Sequence, residues 1–396
     1  MTKKIDYFIN RIEEQTAEIN RTILQEIGFK VKLIGRMTPT QAMQVINMLK
    51  YGDTYDNIRR ELAKITKKSY KEIDDMFYDI ARENQYFSKK FYEYRGLEFV
   101  PLSKNESLKA YVDTFANIAK NRYERMLNSN LLGYGFMDDK GNYTIKGIQE
   151  TINDVVDKAV LSITQGKTTY QQEMRNTLKQ LGGSGLRVIS SKTYIDKEGN
   201  VRNYSRRLDS SVRTYLLDTA RDFSNNMQMK FGQEYGADGV EISVHENPAP
   251  DHAPIQGKQF TNKEFIDIQA GKYGRAIGEY NCYHYIFTVI LGVSKPIYTE
   301  EQLQEMQESN LSGFEFQGRK YTMYEGTQLQ RRFETEIRKQ KDIQILARAS
   351  GDKELIADAQ SKITLLTNKY NRLCNESGLI PQKQRASVSG YRRVKI

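Results

Sequence analysis

Apolar residues return at steps of three and four along most of this chain, and only seven prolines interrupt its 396 residues. The pattern is clearest at the start, where Ile5, Phe8, Ile9, Ile12, Ile19, Ile23 and Ile27 recur between charged residues. On an α-helix that spacing builds a single apolar face. A chain so poor in proline, and so periodic, points to long helices rather than to a β-sandwich. Gly28 is expected to end the first helix. Thr38-Pro39-Thr40-Gln41 reads as a helix start, with Thr38 as N-cap, Pro39 at the first helical position and Gln41 closing a capping box. Asp53 is expected to open a short helix, and Ser69 with Glu72 to form another capping box. The stretch 70–95 is rich in tyrosine and phenylalanine, which suits a core stripe or, as the sharper alternative, a surface that stacks on bases.

Further along, a strong helix is expected from Ser107 to Leu127, then a turn-rich break from Gly133 to Gly141. Two helices follow from Thr144 to Leu181, divided at Gly166, with Thr168 and Thr169 as the next cap. Gly182-Gly183-Ser184-Gly185 reads as a flexible turn; it lacks the Gly-Lys-Ser/Thr ending of a phosphate-binding loop. Arg187 to Tyr204 resembles a β-hairpin turning at Asp196–Asn200, and Ser210 opens a helix to about Tyr235. At Gly236 the composition changes. Gly239 to His245 alternates as a strand does, a loop-rich block runs to Asn281, and Tyr285 to Leu291 reads as a second strand. Helix returns after Thr299, with long patterns from about Tyr324 to Ala349 and Asp352 to Cys374. Lys383 to Ile396 holds five basic residues and no acid, and is expected to order only on a partner.

The fold class is therefore mainly α with a small α+β insert. The expected organisation is a helical docking region (1–181), a hairpin and connecting helix (182–235), a small α+β domain (236–300), a C-terminal helical hairpin (301–382) and a basic tail (383–396). Bulk disorder is excluded, because 26 tyrosines and 16 phenylalanines can anchor cores. The longest apolar run, Tyr285 to Val293, is too short for a bilayer span of about 20 residues. Asp6, Glu13 and Glu14 stand where a secretory signal needs an apolar run. Two cysteines make no disulfide framework, which suggests a protein made and kept in a reducing interior. Sixty Lys/Arg against 50 Asp/Glu give a net charge of +10, a lean toward acidic partners such as nucleic acid.

All three histidines of the chain fall between positions 245 and 284, with one of its two cysteines. His245, His252, Cys282 and His284 are the donor types that zinc takes in a tetrahedron. Two pairs on two loops, brought together across a small sheet, would staple a loop-rich region. Asp251 would be an alternative ligand or the acceptor that fixes a histidine tautomer. The alternative is polar packing in an irregular turn. An enzyme is less well supported. The zinc-deaminase, HExxH and Gly-x-Ser-x-Gly patterns are all missing, and Asp251-His252 has no recognisable nucleophile to serve as a base.

Four runs carry a family resemblance: Val240-Glu-Ile-Ser-Val-His245; Pro250-Asp-His-Ala-Pro-Ile-Gln-Gly-Lys258-Gln-Phe260; Tyr280-Asn-Cys-Tyr-His284; and Pro296-Ile-Tyr-Thr-Glu-Glu301. Together with Tyr324 to Glu334, Arg338, Lys341, Lys369-Tyr-Asn-Arg, Gly378-Leu379 and Arg385, they resemble the phage minor capsid protein 2 family. The likeness is good from about Leu186 to Arg393 and looser before it. In that family Asn-Cys-Arg-His is common, and an arginine or similar residue precedes Pro-x-His; here Tyr283 replaces the first arginine and Ala249-Pro250 stands at the second. The resemblance implies a virion component akin to the minor head proteins of the Mu F type. Such a protein would sit with the portal inside the capsid, beside capsid or scaffold proteins, and assist head assembly and DNA packaging or delivery. It implies no membrane partner and no activity.

The rival class is a metal-dependent nuclease or toxin-like enzyme centred on His245 to His284. A third is a plain nucleic-acid binder. The C-terminal 96 residues carry 17 Lys/Arg and 12 Asp/Glu, and the tail supplies the whole surplus. Lys383, Arg385, Arg392, Arg393 and Lys395 are therefore the candidate contacts to packaged double-stranded DNA, without sequence specificity, or else to an acidic portal surface.

Overall fold

The computed structural model describes residues 2–51, 54–137, 143–195, 201–279 and 282–394. It is mainly α, with small antiparallel sheets, as the periodicity requires. The first helix, α1 (Thr2–Ile34), buries Ile5, Ile9, Ile12, Ile19, Ile23, Ile27 and Val31 along one face. It does not stop at Gly28. A Cβ there would lie 2.6 Å from Ala349 Cβ and 2.9 Å from the Leu346 carbonyl oxygen, so this glycine lets a second helix approach rather than ending the first.

After α1 the predicted capping box forms at Thr38, whose N–H donates to Gln41 Oε1 while its hydroxyl accepts from the Gln41 N–H. It opens α2 (Pro39–Tyr51). The next helix, α3 (Thr54–Arg95), runs unbroken for 42 residues. The expected cap at Ser69 is absent because that hydroxyl is buried in mid-helix, donating to the Ile65 carbonyl and to Gln15 Oε1. Such back-bonding satisfies a serine without ending a helix. Glu72, the supposed cap partner, pairs instead with Arg11 at 2.7 Å. Of the aromatic stretch, Phe77, Phe91 and Tyr92 are core, whereas Tyr86 and Tyr94 are exposed. The predicted opening at Asp53 lies outside the described residues.

Asn105 caps α4 (Glu106–Met126) through the Leu108 N–H. The expected break then proves to be a hairpin, β1 (Leu132–Met137) and β2 (Tyr143–Gly147). Helices α5 (Ile148–Thr164) and α6 (Lys167–Ser184) follow, split at Gly166, which caps α6 without a side-chain bond from Thr168 or Thr169. The Gly-Gly-Ser-Gly segment is not a flexible turn. Helix α6 continues through Ser184 and stops at Gly185, with φ +62°. Strands β3 (Arg187–Ile195) and β4 (Val201–Arg207) form the predicted hairpin, whose turn lies outside the described residues, and complete a sheet of order β2-β1-β3-β4. Helix α7 (Leu208–Tyr235) ends at left-handed Gly236.

The insert begins there. Strands β5 (Gly239–Ile242), β6 (Gln259–Thr261) and β7 (Ile286–Val289) form an antiparallel sheet of order β6-β5-β7, with α8 (Asn262–Gln269) after β6. Its own small core gathers Val240, Ile242, Ile255, Phe265, Ile268 and Ile286. Helix α9 (Glu300–Ser312) and the hairpin β8 (Phe314–Phe316) and β9 (Arg319–Tyr321) lead to α10 (Met323–Ser350) and α11 (Lys353–Ser377), an antiparallel pair. The main core joins α1 and α3 to α5, α6, α7, α10 and α11, so α10, far along the chain, lies against the first helix. No helix among the described residues is long and apolar enough to cross a membrane.

The tail departs from expectation. Its first residues form a 3-10 turn (Lys383–Ala386) with Ala386 buried. Lys341 Nζ donates to the Ala386 carbonyl at 2.6 Å, and both the Tyr391 hydroxyl and the Val394 N–H donate to Gln360 Oε1. The tail orders on the chain itself because it supplies donors and acceptors to buried groups of α10 and α11.

Candidate functional site

Cys282 and His284 stand just before β7, and His252 lies in the turns between β5 and β6. The small sheet brings these two loops together. Among the described residues, the ligand atoms of His252, Cys282 and His284 all lie within 4.8 Å of one another, and all three residues are buried. Cys282 Sγ is 3.4 Å from Nδ1 of both histidines. In tetrahedral zinc the sulfur-to-nitrogen edge is about 3.5 Å, given bonds of ~2.3 and ~2.0 Å. Spacing therefore fits the ion.

Proton placement fits it too. His252 Nε2 donates to the Arg275 carbonyl at 2.9 Å, and His284 Nε2 donates to Gln256 Oε1 at 3.1 Å. That Gln256 oxygen also accepts from the His245 N–H, which identifies it as the carbonyl end of the amide. Each neutral imidazole thus has its proton on Nε2 and a bare lone pair on Nδ1, and both lone pairs face the same sulfur. One thiol hydrogen cannot serve both, whereas a single cation would serve two imidazoles and a thiolate together.

Electrostatics treat the two histidines differently. Burial opposes a charge on His252, but Cys282, the Arg275 carbonyl and Asp251 together raise its pKa above the usual value, so without a cation it tends to take a proton on Nδ1. Burial, with repulsion from His245 and Arg221, holds His284 down to about 2, so it stays neutral. Burial opposes a charge on Cys282, but a protonated His252 and the backbone N–H groups of Gly278 and His284 together outweigh it and draw the thiol below its usual value. The thiolate is the metal-binding form.

The remaining predicted ligands are placed differently. The His245 ring lies 4.3 Å from that of His284, but its Nδ1 is engaged by the Glu246 carbonyl at 2.7 Å, and it stands outside the group of three. Burial, with Arg221 and Arg331 nearby, pushes it down to about 4. Asp251 forms a two-pronged pair with Arg275 at 2.8 and 2.9 Å. The acceptor that fixes the His252 tautomer is the Arg275 carbonyl, so Asp251 acts by holding Arg275. Neither Gln256 nor Arg275 was singled out in the sequence. Gln256, four residues after His252 within one tight turn, carried a signal; Arg275, bonding through its backbone, carried none.

Beside the cluster is a cavity of about 490 Å³, lined in part by His245, His252, Cys282, Tyr283, Arg331 and Arg385. Arg385, one of the expected DNA contacts, thus turns inward and donates to the Tyr283 hydroxyl at 3.0 Å. Burial opposes ionisation of that phenol, yet Arg385, Arg331, Arg213 and Arg221 together draw its pKa below the usual value. Lys383, Arg392 and Arg393 are exposed. Lys395 lies outside the described residues.

The phage minor capsid protein 2 family model matches residues 3–375. The chain belongs to that family. Its Cys/His cluster and both long C-terminal helices lie within, or nearly within, the matched span. A structural protein of Lactococcus phage LL-H is 25% identical over 243 residues, which are 58% of this chain and 59% of that protein. The chain therefore spans about three fifths of that relative's length. No solved structure matches. Family membership makes this minor capsid protein a phage structural component.

Proposed function

We propose that this minor capsid protein is built into the virion, sits with the portal inside the head of a tailed phage, and assists head assembly and DNA packaging or delivery. The observation that carries the reading is the family match across residues 3–375. Its long helices suit it: α3 alone, at 42 residues, makes a rod of roughly 60 Å, long enough to lie across neighbouring subunits. Portal, capsid or scaffold proteins are the partners this reading assigns. Exposed Lys383, Arg392 and Arg393 would meet packaged DNA through its phosphates.

In the same reading His252, Cys282 and His284 hold zinc, and His245, through its remaining nitrogen, is a donor for a fourth position. The ion would supply folding free energy to a region whose own apolar core is small. It would join the loop before β7 to the turns after β5.

Deletion from a phage should leave shells that form but fill or infect poorly, and mass spectrometry of purified virions should find the chain at a few copies per portal. Its absence from both immature and mature heads would overturn the proposal. The enzyme alternative is checked by incubating the purified protein with DNA, RNA and divalent metals. Turnover abolished by His252→Ala would favour it.

A further inference from the structure

Three arginines converge on one phenol at the wall of the cavity beside the cluster. Arg221 of α7 has its guanidinium carbon 4.6 Å from the Tyr283 ring centroid, Arg331 of α10 has its own at 6.0 Å, and Arg385 bonds the hydroxyl. Arg221 is 0% exposed, its guanidinium nitrogens make no short hydrogen bond, and its polar neighbours include the Tyr285 hydroxyl and Asp218, whose carboxylate is 3.6 Å away. Neither Arg331 nor Arg385 forms an ion pair among the described residues.

The nearby acids offset this charge only in part. Glu334 and Asp6 act on Arg385 from a distance, and Asp218 and Asp222 stand near Arg221, but none of these is in ion-pair contact with Arg331 or Arg385. Asp6 pairs with Arg213 at 2.9 Å, Asp251 with Arg275, Glu334 accepts from the Tyr370 hydroxyl at 3.1 Å, and Glu246 is exposed. Gathering like charges at low dielectric is unfavourable unless an anion completes the set. Arginine's planar fork matches phosphate oxygens, and the wall also offers Tyr324 and Gln328.

We propose that this cavity binds a phosphate-bearing small molecule, with Arg331 and Arg385 as its direct ligands and Arg221 supplying positive potential from behind Tyr283. A phosphate dianion fits two unpaired arginines better than a single carboxylate does. The cavity, at about 490 Å³, has room for a mononucleotide. The inference is independent of the virion reading and of whether the cluster holds a metal.

Calorimetric titration of the full chain with inorganic phosphate, a nucleoside 5′-monophosphate and acetate tests it. Phosphate should bind saturably and raise the melting temperature. Arg331→Gln and Arg385→Gln should each weaken binding by about tenfold or more, whereas Lys104→Gln, which alters an exposed charge that does not line the cavity, should not. Tighter binding of the nucleotide would identify it as the ligand; equal binding would leave free phosphate. Should either glutamine variant fold poorly, Arg331→Lys keeps the charge but loses the fork, and should still weaken binding. Absence of saturable phosphate and nucleotide binding would overturn the proposal. So would equally tight acetate binding, arginine variants that bind like the parent, or binding lost on metal chelation but retained in those variants.

Discussion

Replacing Arg207 with methionine should be among the most destabilising single changes in this protein. Arg207 ends β4 and directly precedes α7, and its Nη2 donates to Asp342 of α10 at 2.8 Å, with Asp209 at 3.5 Å. Asp342 is 0% exposed, and its other carboxylate oxygen has no partner. A surface ion pair would contribute ~1 kcal/mol or less. Here Arg207→Met strands a carboxylate in the core, which costs about 3–5 kcal/mol.

With unfolding entropy of ~2.1 cal/mol/K per residue, a loss near 4 kcal/mol lowers the melting temperature by about 5 °C for a chain this long. The pH dependence gives a second check. Burial already raises the Asp342 pKa in the parent even with Arg207 beside it. Without the arginine it rises further, so the penalty is greatest at neutral pH and shrinks as acid restores the proton. Asp209 behaves oppositely: Arg338 and Arg207 outweigh burial and hold it near 2, below its ordinary 3.8, so its contribution disappears only as pH falls from about 4 toward 2. A penalty that shrinks as the pH is lowered from 7 toward 4 therefore reports on Asp342 and not on Asp209. Denaturant melts of the parent, Arg207→Met, Asp342→Leu and the double variant complete a cycle. The double variant should recover most of the loss, because an apolar pair can replace a buried ionic one. A single-variant loss below ~1 kcal/mol, or a double variant no better than Arg207→Met, would refute the reasoning.

Zinc removal by chelator should lower the melting temperature, and Cys282→Ser or His284→Ala should remove that sensitivity; metal content below about a tenth of an equivalent in untagged protein would count against the metal. Gly182→Ala should destabilise by about 1–3 kcal/mol despite the ~1 kcal/mol helix preference of alanine, since a Cβ there would lie 2.6 Å from the Ile343 backbone nitrogen; an unchanged melting temperature would show that α6 and α10 can separate freely. Removing residues 383–396 should cost on the order of 2 kcal/mol, because Lys341, Tyr283 and Gln360 lose their tail partners. The same truncation should reduce DNA retention at low salt, with the difference fading as salt rises; undiminished retention would assign the exposed tail charges to another partner.

Local chemistry determined much of this protein from sequence alone. The isoleucine stripe of α1, the Thr38–Gln41 capping box, the split at Gly166, the end of α7 at Gly236 and the spans of α10 and α11 all follow from periodicity and caps. The clustering of histidines around Cys282 was legible for the same reason: the residues lie close in the chain.

What only the tertiary structure decided involves partners distant in sequence. Gly28 and Gly182 look like helix stops, but each admits α10, more than 150 residues away, at backbone distance. Ser69 looks like a cap because sequence cannot reveal Gln15 waiting for its hydroxyl. The acid-free tail looks unfoldable alone because its bonding partners, Lys341, Gln360 and Tyr283, are polar groups whose burial is set elsewhere. Arg221 shows no local sign of its environment. A side chain's charge is written in the sequence, but its desolvation is fixed by every element packed around it.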